Sequence, residues 1–389
     1  MKVYHQCGHN DVWNRQSLQE DNVGDGLILS PINIEADRIK EKISREVLNN
    51  SWFDPQIYLP EDNKGNLSTY PYFPSNLMDD FSTSTFRDRA HEVAKICLEF
   101  QYSLGLKYLV IPSRYFSDLP SNYLRHLESL YLEPFVSEWK MLGYSTPLIL
   151  TLIVKPSQLD LGLNRDELLT WATSYSEISG VYLLFENYSN TKQIKDPEFL
   201  CGALRFINAL RQNDLEVHIG YSGLEGLLYS IADPTSVSMG SYENLRSFDV
   251  SRLQTQDYDG RRSPRPRIYS SKLLQWIVDT LIPPFRQIIP DWQNYFDQTK
   301  YSNYLFDPNS SLNSQRSEIY KHYFILFYNQ INSLPSLNKR PEYIKGLVRN
   351  AIDLFQEIKG YDIFLDPDSD DSHLSSWINA IVMYERNQG

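Results

Sequence analysis

Two hydrophobic patterns alternate along the chain. Short runs that are apolar at nearly every position stand at 26–30, 106–111, 147–154 and 180–185. Runs without polar alternation fit parallel strands that are covered on both faces. Between them lie stretches with apolar residues at helical spacing: 34–48, 86–104, 119–142, 165–175 and 197–212. Shorter β-rich runs at 53–60, 217–221, 236–239 and 267–269 complete a set of eight predicted strands, with a short apolar helix at 224–230 and another helix at 273–282.

The punctuation agrees with this pattern. Gly105 and Gly143 follow helical stretches, where a left-handed residue closes a helix. Asn164 precedes the stretch 165–175 and Glu167 stands three positions later, the spacing of a capping box. Eight strand–helix units predict an α/β fold of the (β/α)8 TIM-barrel type over 25–284. An open doubly wound sheet is the alternative, but no Gly-x-Gly-x-x-Gly follows a strand. The polar segment 1–24 reads as an N-terminal arm. The helical patterns at 318–331, 341–358 and 373–384 read as a C-terminal helical extension over 285–389. The long loop at 61–85 has the length of a lid or binding loop.

Composition narrows the function classes. With 41% hydrophobic and 22% charged residues the chain can bury a large core. A net charge of −12 argues against a general nucleic-acid coat, which needs clustered Lys and Arg. The 27 tyrosines suit a broad amphipathic surface or interface. Cys7, Cys97 and Cys201 form no Cys-x-x-Cys pair, so neither a disulfide framework nor a cysteine-rich zinc site is expected. His5, Cys7 and His9 alternate, but three ligands within five residues suit tetrahedral coordination poorly. No metal or cofactor is expected. No leader-type apolar region opens the chain, and no run is long enough for a membrane span, so a cytoplasmic protein is the expectation. The acidic run 366–371 has the alternating carboxylates of a calcium loop but lacks its Gly and final Glu, and reads as an exposed loop.

Candidate chemistry follows from the rule that barrel sites lie at the C-terminal ends of the strands. Asp54 and Glu186 end two predicted strands. A carboxylate pair across a barrel mouth can serve as acid and base at a glycosidic bond. Lys155 ends a third strand and Arg114 a fourth, and either cation could hold the carboxylates or an anionic ligand. Tyr221 and Ser238 end two more. Arg261-Arg262-Ser263-Pro264-Arg265-Pro266-Arg267 puts four arginines into an acidic chain. Arg262, Arg265 and Arg267 are therefore candidates for binding a phosphorylated small molecule or a nucleic acid, since guanidinium groups grip phosphate with two donors. The plainer reading is a solvated loop paired with surface acids. His218, inside a predicted strand, reads first as a core histidine.

The stretch His218-Ile-Gly-Tyr-Ser-Gly-Leu-Glu-Gly-Leu-Leu, followed by Ser236-Val-Ser-Met-Gly240, resembles the late strands of tRNA-guanine transglycosylase-type barrels. The resemblance covers 216–249. It implies the same barrel fold and, by extension, base-exchange chemistry at a glycosidic bond. The family's nucleophilic Asp is missing where this chain reads Val237-Ser238-Met239-Gly240. Its cysteine-and-histidine zinc cluster is missing as well, so no catalytic residue carries over. Two functions are thus expected. One is a barrel that binds or acts on a nucleoside-, nucleotide- or sugar-like ligand. The other is a catalytically silent barrel serving as a subunit or nucleic-acid-associated module of a bacterial multi-protein system, with the C-terminal helices offered to a protein partner.

Overall fold

The structure is a computed structural model, and it describes all residues except 161, 188–191, 256–263 and 387–389. Eight parallel strands form one sheet: β1 (Lys2–Gln6), β2 (Gly26–Leu29), β3 (Trp52–Phe53), β4 (Leu109–Ile111), β5 (Leu148–Val154), β6 (Ile178–Phe185), β7 (Glu216–Ile219) and β8 (Ser236–Gly240). Their spatial order is β3-β2-β1-β8-β7-β6-β5-β4. The two end strands meet where Lys107 N donates to Ser51 O at 2.9 Å, so the sheet curls into a nearly closed barrel with helices between the strands. This is the (β/α)8 fold that the unalternated apolar runs imply.

The strand count holds, but the membership shifts. The segment expected as a leading arm contains β1, which pairs with both β2 and β8, and then the helix Asp11–Glu20. The short Lys-Val-Tyr-His-Gln run carries one aliphatic side chain, Val3, on its outer face, while Tyr4 and Gln6 turn inward, so it lacks a strand-like apolar run. The strand expected at 267–269 lies outside the barrel. It is β9 (Arg267–Ser270), paired antiparallel with β10 (Gln275–Val278) in a separate hairpin. β10 falls where a helix was expected at 273–282. The run 53–60 forms strand only at its first residue, and Gln56 then turns the chain in the left-handed region at φ +52°. The stretch 34–48 splits into helices Ile39–Lys42 and Arg45–Asn49, the second capped by Ser44. Helix Leu163–Thr173 starts from Gly162 without a side-chain cap, so Asn164 lies inside it.

Each strand sends alternate side chains to opposite faces. Outward, Val3, Leu27, Phe53, Leu109, Leu150 and Leu183 join the main core under the helices. Inward, Tyr4, Trp52, Tyr108, Tyr182 and Ile149 fill the barrel. Ring sits on ring, with Tyr4 and Trp52 centroids 4.1 Å apart and Trp52 and His218 5.0 Å apart. Gly220 makes room for this packing, since a Cβ there would lie 2.4 Å from the Tyr182 ring. Part of the tyrosine excess is therefore barrel filling.

The C-terminal helices are built into the same core. Helix Ser317–Asn332 lays Phe324 against the outward-facing His5 ring of β1 at 4.8 Å and packs under the β9–β10 hairpin. Helices Arg340–Gly360 and Ser372–Arg386 follow, the latter packed along helix Pro197–Gln212. Among the described residues no helix is long and apolar enough to cross a membrane.

Candidate functional site

At the C-terminal mouth, the inward period-two positions become polar. Gln6, Ser30, Asp54 and Glu186 follow Tyr4, Ile28, Trp52 and Leu184 on the same faces of β1, β2, β3 and β6. Asp54 is 1% exposed. Tyr58 Oη donates to its Oδ1 at 2.8 Å, Gln56 N to Oδ1 at 3.2 Å, and Tyr221 Oη to Oδ2 at 3.4 Å. Burial outweighs these donors and pushes the Asp54 carboxyl up to about 7. The side-chain amide of Gln56 ties the surroundings together: its Nε2 donates to Tyr221 Oη at 2.9 Å and its Oε1 accepts from Ser30 Oγ at 3.0 Å. Gln6 Oε1 accepts from Tyr182 Oη at 3.2 Å and from Tyr221 N at 3.3 Å, while its buried Nε2 finds no partner among the described residues.

Glu186 has a separate set of partners. Lys155 Nζ donates to the buried Oε2 at 2.7 Å, and the half-buried Tyr115 donates its Oη to Oε1 at 2.6 Å. Lys155 Nζ also lies 4.4 Å from the Tyr115 ring centre and donates to Ser117 O at 3.1 Å. Burial, with Glu186 next, pushes the Tyr115 hydroxyl up to about 12. The two carboxylates are linked through tyrosines: Tyr115 N donates to Tyr58 O at 2.9 Å, and Tyr58 in turn holds Asp54.

The mouth is covered from within. After β8 the chain folds back across the strand ends through turns at Glu243–Leu245 and Val250–Leu253. Leu245, Phe248 and Val250 join the interior cluster. Phe248 lies 5.3 Å from Tyr58 and 5.6 Å from Tyr221, and its backbone bridges to Glu186. This segment, 241–253, is a plug over the carboxylates.

Beside the plug is an open cavity of about 430 Å³. Its walls come from the plug (Tyr242, Glu243, Arg246), the hairpin (Arg267, Trp276), Arg265, Lys64 of the β3–β4 connection and Tyr320 of helix Ser317–Asn332. The Arg246 guanidinium stacks 3.9 Å from the Trp276 ring centre and donates to Ser241 O at 3.0 Å. Arg246 also lines a small pocket beside Tyr221 and Asn187, so it stands between this cavity and the mouth.

The expected site residues thus separate into groups. Asp54 and Tyr221 meet, and Glu186 and Lys155 meet. Arg265 and Arg267 go to the side cavity rather than the mouth, because β9 is not a barrel strand. Arg267 is further held by the run once read as an exposed acidic loop: its guanidinium donates to Asp366 at 3.0 Å, Asp368 at 3.4 Å and Ser369 at 2.6 Å. Arg114 turns away to Thr83 Oγ1 at 3.0 Å and covers the Phe81 ring. Ser238 clips β8 to the turn after β7, accepting from Ser222 N at 3.1 Å. Arg262 lies outside the described residues. His218 is a buried core histidine against Ser236 Oγ at 2.9 Å. His5 is buried with Val23 O and Asn14, and Cys7 is buried beside it, while His9 is exposed. Gln6, Tyr58, Tyr115, Phe248 and Arg246 were not singled out from sequence. Gln6 could have been found by extending the period-two register of β1.

No protein-family model matches this chain, and no curated protein matches it either. Among solved structures, a GH18 chitinase from Pseudoalteromonas aurantia aligns over 63% of this chain and 95% of its own, with 11% identity and a TM-score of 0.35. A likeness that slight carries no argument about chemistry.

Proposed function

We propose that the protein binds a phosphorylated, ring-bearing small molecule, a nucleotide or a sugar phosphate, at the C-terminal face of the barrel. The observation that carries this reading is the cavity of about 430 Å³, where Lys64, Arg246 and Arg265 stand with Trp276, Tyr242 and Tyr320, beside Glu243 and an Arg267 already paired with Asp366 and Asp368. Guanidinium groups recognise phosphate oxygens, and aromatic faces cover a ring. A local positive wall in a chain of net charge −12 concentrates an anionic ligand where the rest of the surface repels it.

Titration calorimetry with AMP and glucose 6-phosphate, set against adenosine and glucose, tests it. The phosphorylated member of a pair binds and its neutral partner does not. Arg246→Ala weakens binding about tenfold or more, the scale of one charge-assisted hydrogen bond, and the exposed Arg265→Ala weakens it without touching the core. Raising the salt weakens it further. Equal binding of phosphorylated and neutral partners, or no binding to either, would overturn the reading.

One observation favours a second reading. The barrel interior is filled by its own rings and the mouth is covered by its own plug. A barrel used as a rigid subunit or nucleic-acid-associated module of a multi-protein system needs no open mouth. In that reading the outer faces of the C-terminal helices meet a protein partner.

A further inference from the structure

The covered mouth holds more polar structure than a filled barrel requires. Two non-glycine residues, Gln56 at φ +52° and Tyr221 at φ +48°, adopt left-handed backbone conformations at the ends of two strands. Both touch Asp54, and they touch each other. Such conformations are costly for residues with a side chain and persist where surrounding structure enforces them, often around functional groups. Gln6, at 0% exposure, leaves its amide nitrogen without an acceptor among the described residues. A buried donor left unmade is costly, and a ligand acceptor would account for it. Against Tyr58 and Tyr221 of this cluster the cover places the Phe248 ring, carried on a connecting segment rather than on a barrel strand.

We propose that this chamber is a second functional site, in which Asp54, in its protonated form, donates a hydrogen bond to an oxygen atom of an uncharged, hydroxyl-bearing ligand such as a sugar, once Phe248 has swung aside. The amide nitrogen of Gln6 supplies a second donor to the ligand, since both Gln6 and Asp54 are fixed against Tyr221. While Asp54 donates to the ligand oxygen, its carboxyl oxygens still accept from Tyr58 Oη, Tyr221 Oη and Gln56 N. Among the described residues, the titratable groups that face it are tyrosines: Tyr58 and Tyr221, with Tyr182 from β6 and Tyr72 next to them. Burial raises every one of these hydroxyls, so in the neutral range only the carboxyl of this group gives up a proton. The proposal does not depend on the arginine cavity being occupied.

Dicyclohexylcarbodiimide tests it without a known substrate. The reagent adds across the O–H bond of a protonated, apolar-shielded carboxyl, taking the proton onto its own nitrogen and leaving an acyl adduct that peptide mass spectrometry locates. On the full chain, the expected result is an adduct at Asp54 near neutral pH, while exposed carboxylates stay unmodified. Phe248→Ala and the milder Phe248→Leu speed the labelling several-fold. The rate falls as pH rises through about 7, a profile that a purely structural carboxyl of ordinary acidity does not give. An Asp54 that remains unlabelled in both Phe248 variants would overturn the proposal. So would labelling that falls off in the pH range of the surface carboxylates.

Discussion

Asp54 has a consequence for stability that does not depend on any ligand. Unfolded, its carboxyl titrates near the ordinary 3.8, and in the fold burial pushes it up to about 7. Between those values the native state binds more protons than the unfolded chain. The stability held by the protonated form is therefore complete below about pH 4 and is lost as pH rises through 7, by up to about 4 kcal/mol. Asp54→Asn keeps the shape and removes the charge. The difference in urea midpoint between wild type and Asp54→Asn is expected to move in favour of the variant from pH 5 to pH 8. A difference that stays flat with pH would mean that Asp54 is already ionised in the fold. Glu186, at the end of β6, is instead ion-paired with Lys155 at 2.7 Å.

At the level of elements, the plug decides what the barrel mouth can do. It stays down because Gly240 allows it: a Cβ on Gly240 would lie 2.4 Å from both Cβ and the carbonyl oxygen of Leu245. That distance is too short for any side chain to accept, and one of the atoms is backbone. Gly240→Ala is expected to displace the turn Glu243–Leu245 and lift Leu245 and Phe248 off the strand ends. Hydrogen exchange should speed up in 241–253 while the amides of β5 and β6 keep their protection. Unchanged exchange in that segment would mean the turn absorbs the methyl group. The hairpin β9–β10 plays a different part: it supplies Arg267 and Trp276 to the side cavity and locks Arg267 to the Asp366–Ser369 turn. The acidic run is therefore a tether for the C-terminal helices.

On the scale of the molecule, the helices after residue 285 share one continuous core with the barrel. His5 of β1 meets Phe324, and the outward strand residues and Trp377 belong to a single buried cluster. A core without a seam unfolds as a unit. Calorimetry of the full chain is expected to give one transition whose calorimetric and van't Hoff enthalpies agree. Two resolved transitions would show that the C-terminal helices fold as a separate body.

The hydrophobic pattern by itself determined the fold class. Strands such as Leu148–Val154 and Ile178–Phe185 are apolar on both faces because helices cover one side and rings fill the other, and that signal is local. It also put Asp54 and Glu186 at strand ends, and those positions are at the mouth. What sequence could not supply is which eight strands close the barrel. β1 (Lys-Val-Tyr-His-Gln) and β9 (Arg-Ile-Tyr-Ser) each carry one aliphatic residue and one tyrosine, so local pattern does not tell the barrel strand from the hairpin strand. The site depends on the same tertiary choice. Gln6 and Tyr221 are 215 residues apart and meet only because β1 and β7 both flank β8. Phe248 reaches Tyr58 and Tyr221, and Arg246 reaches Trp276, through a fold-back that no period encodes. Long-range contacts of this kind are set by the closing of the sheet, and local patterning carries no record of them.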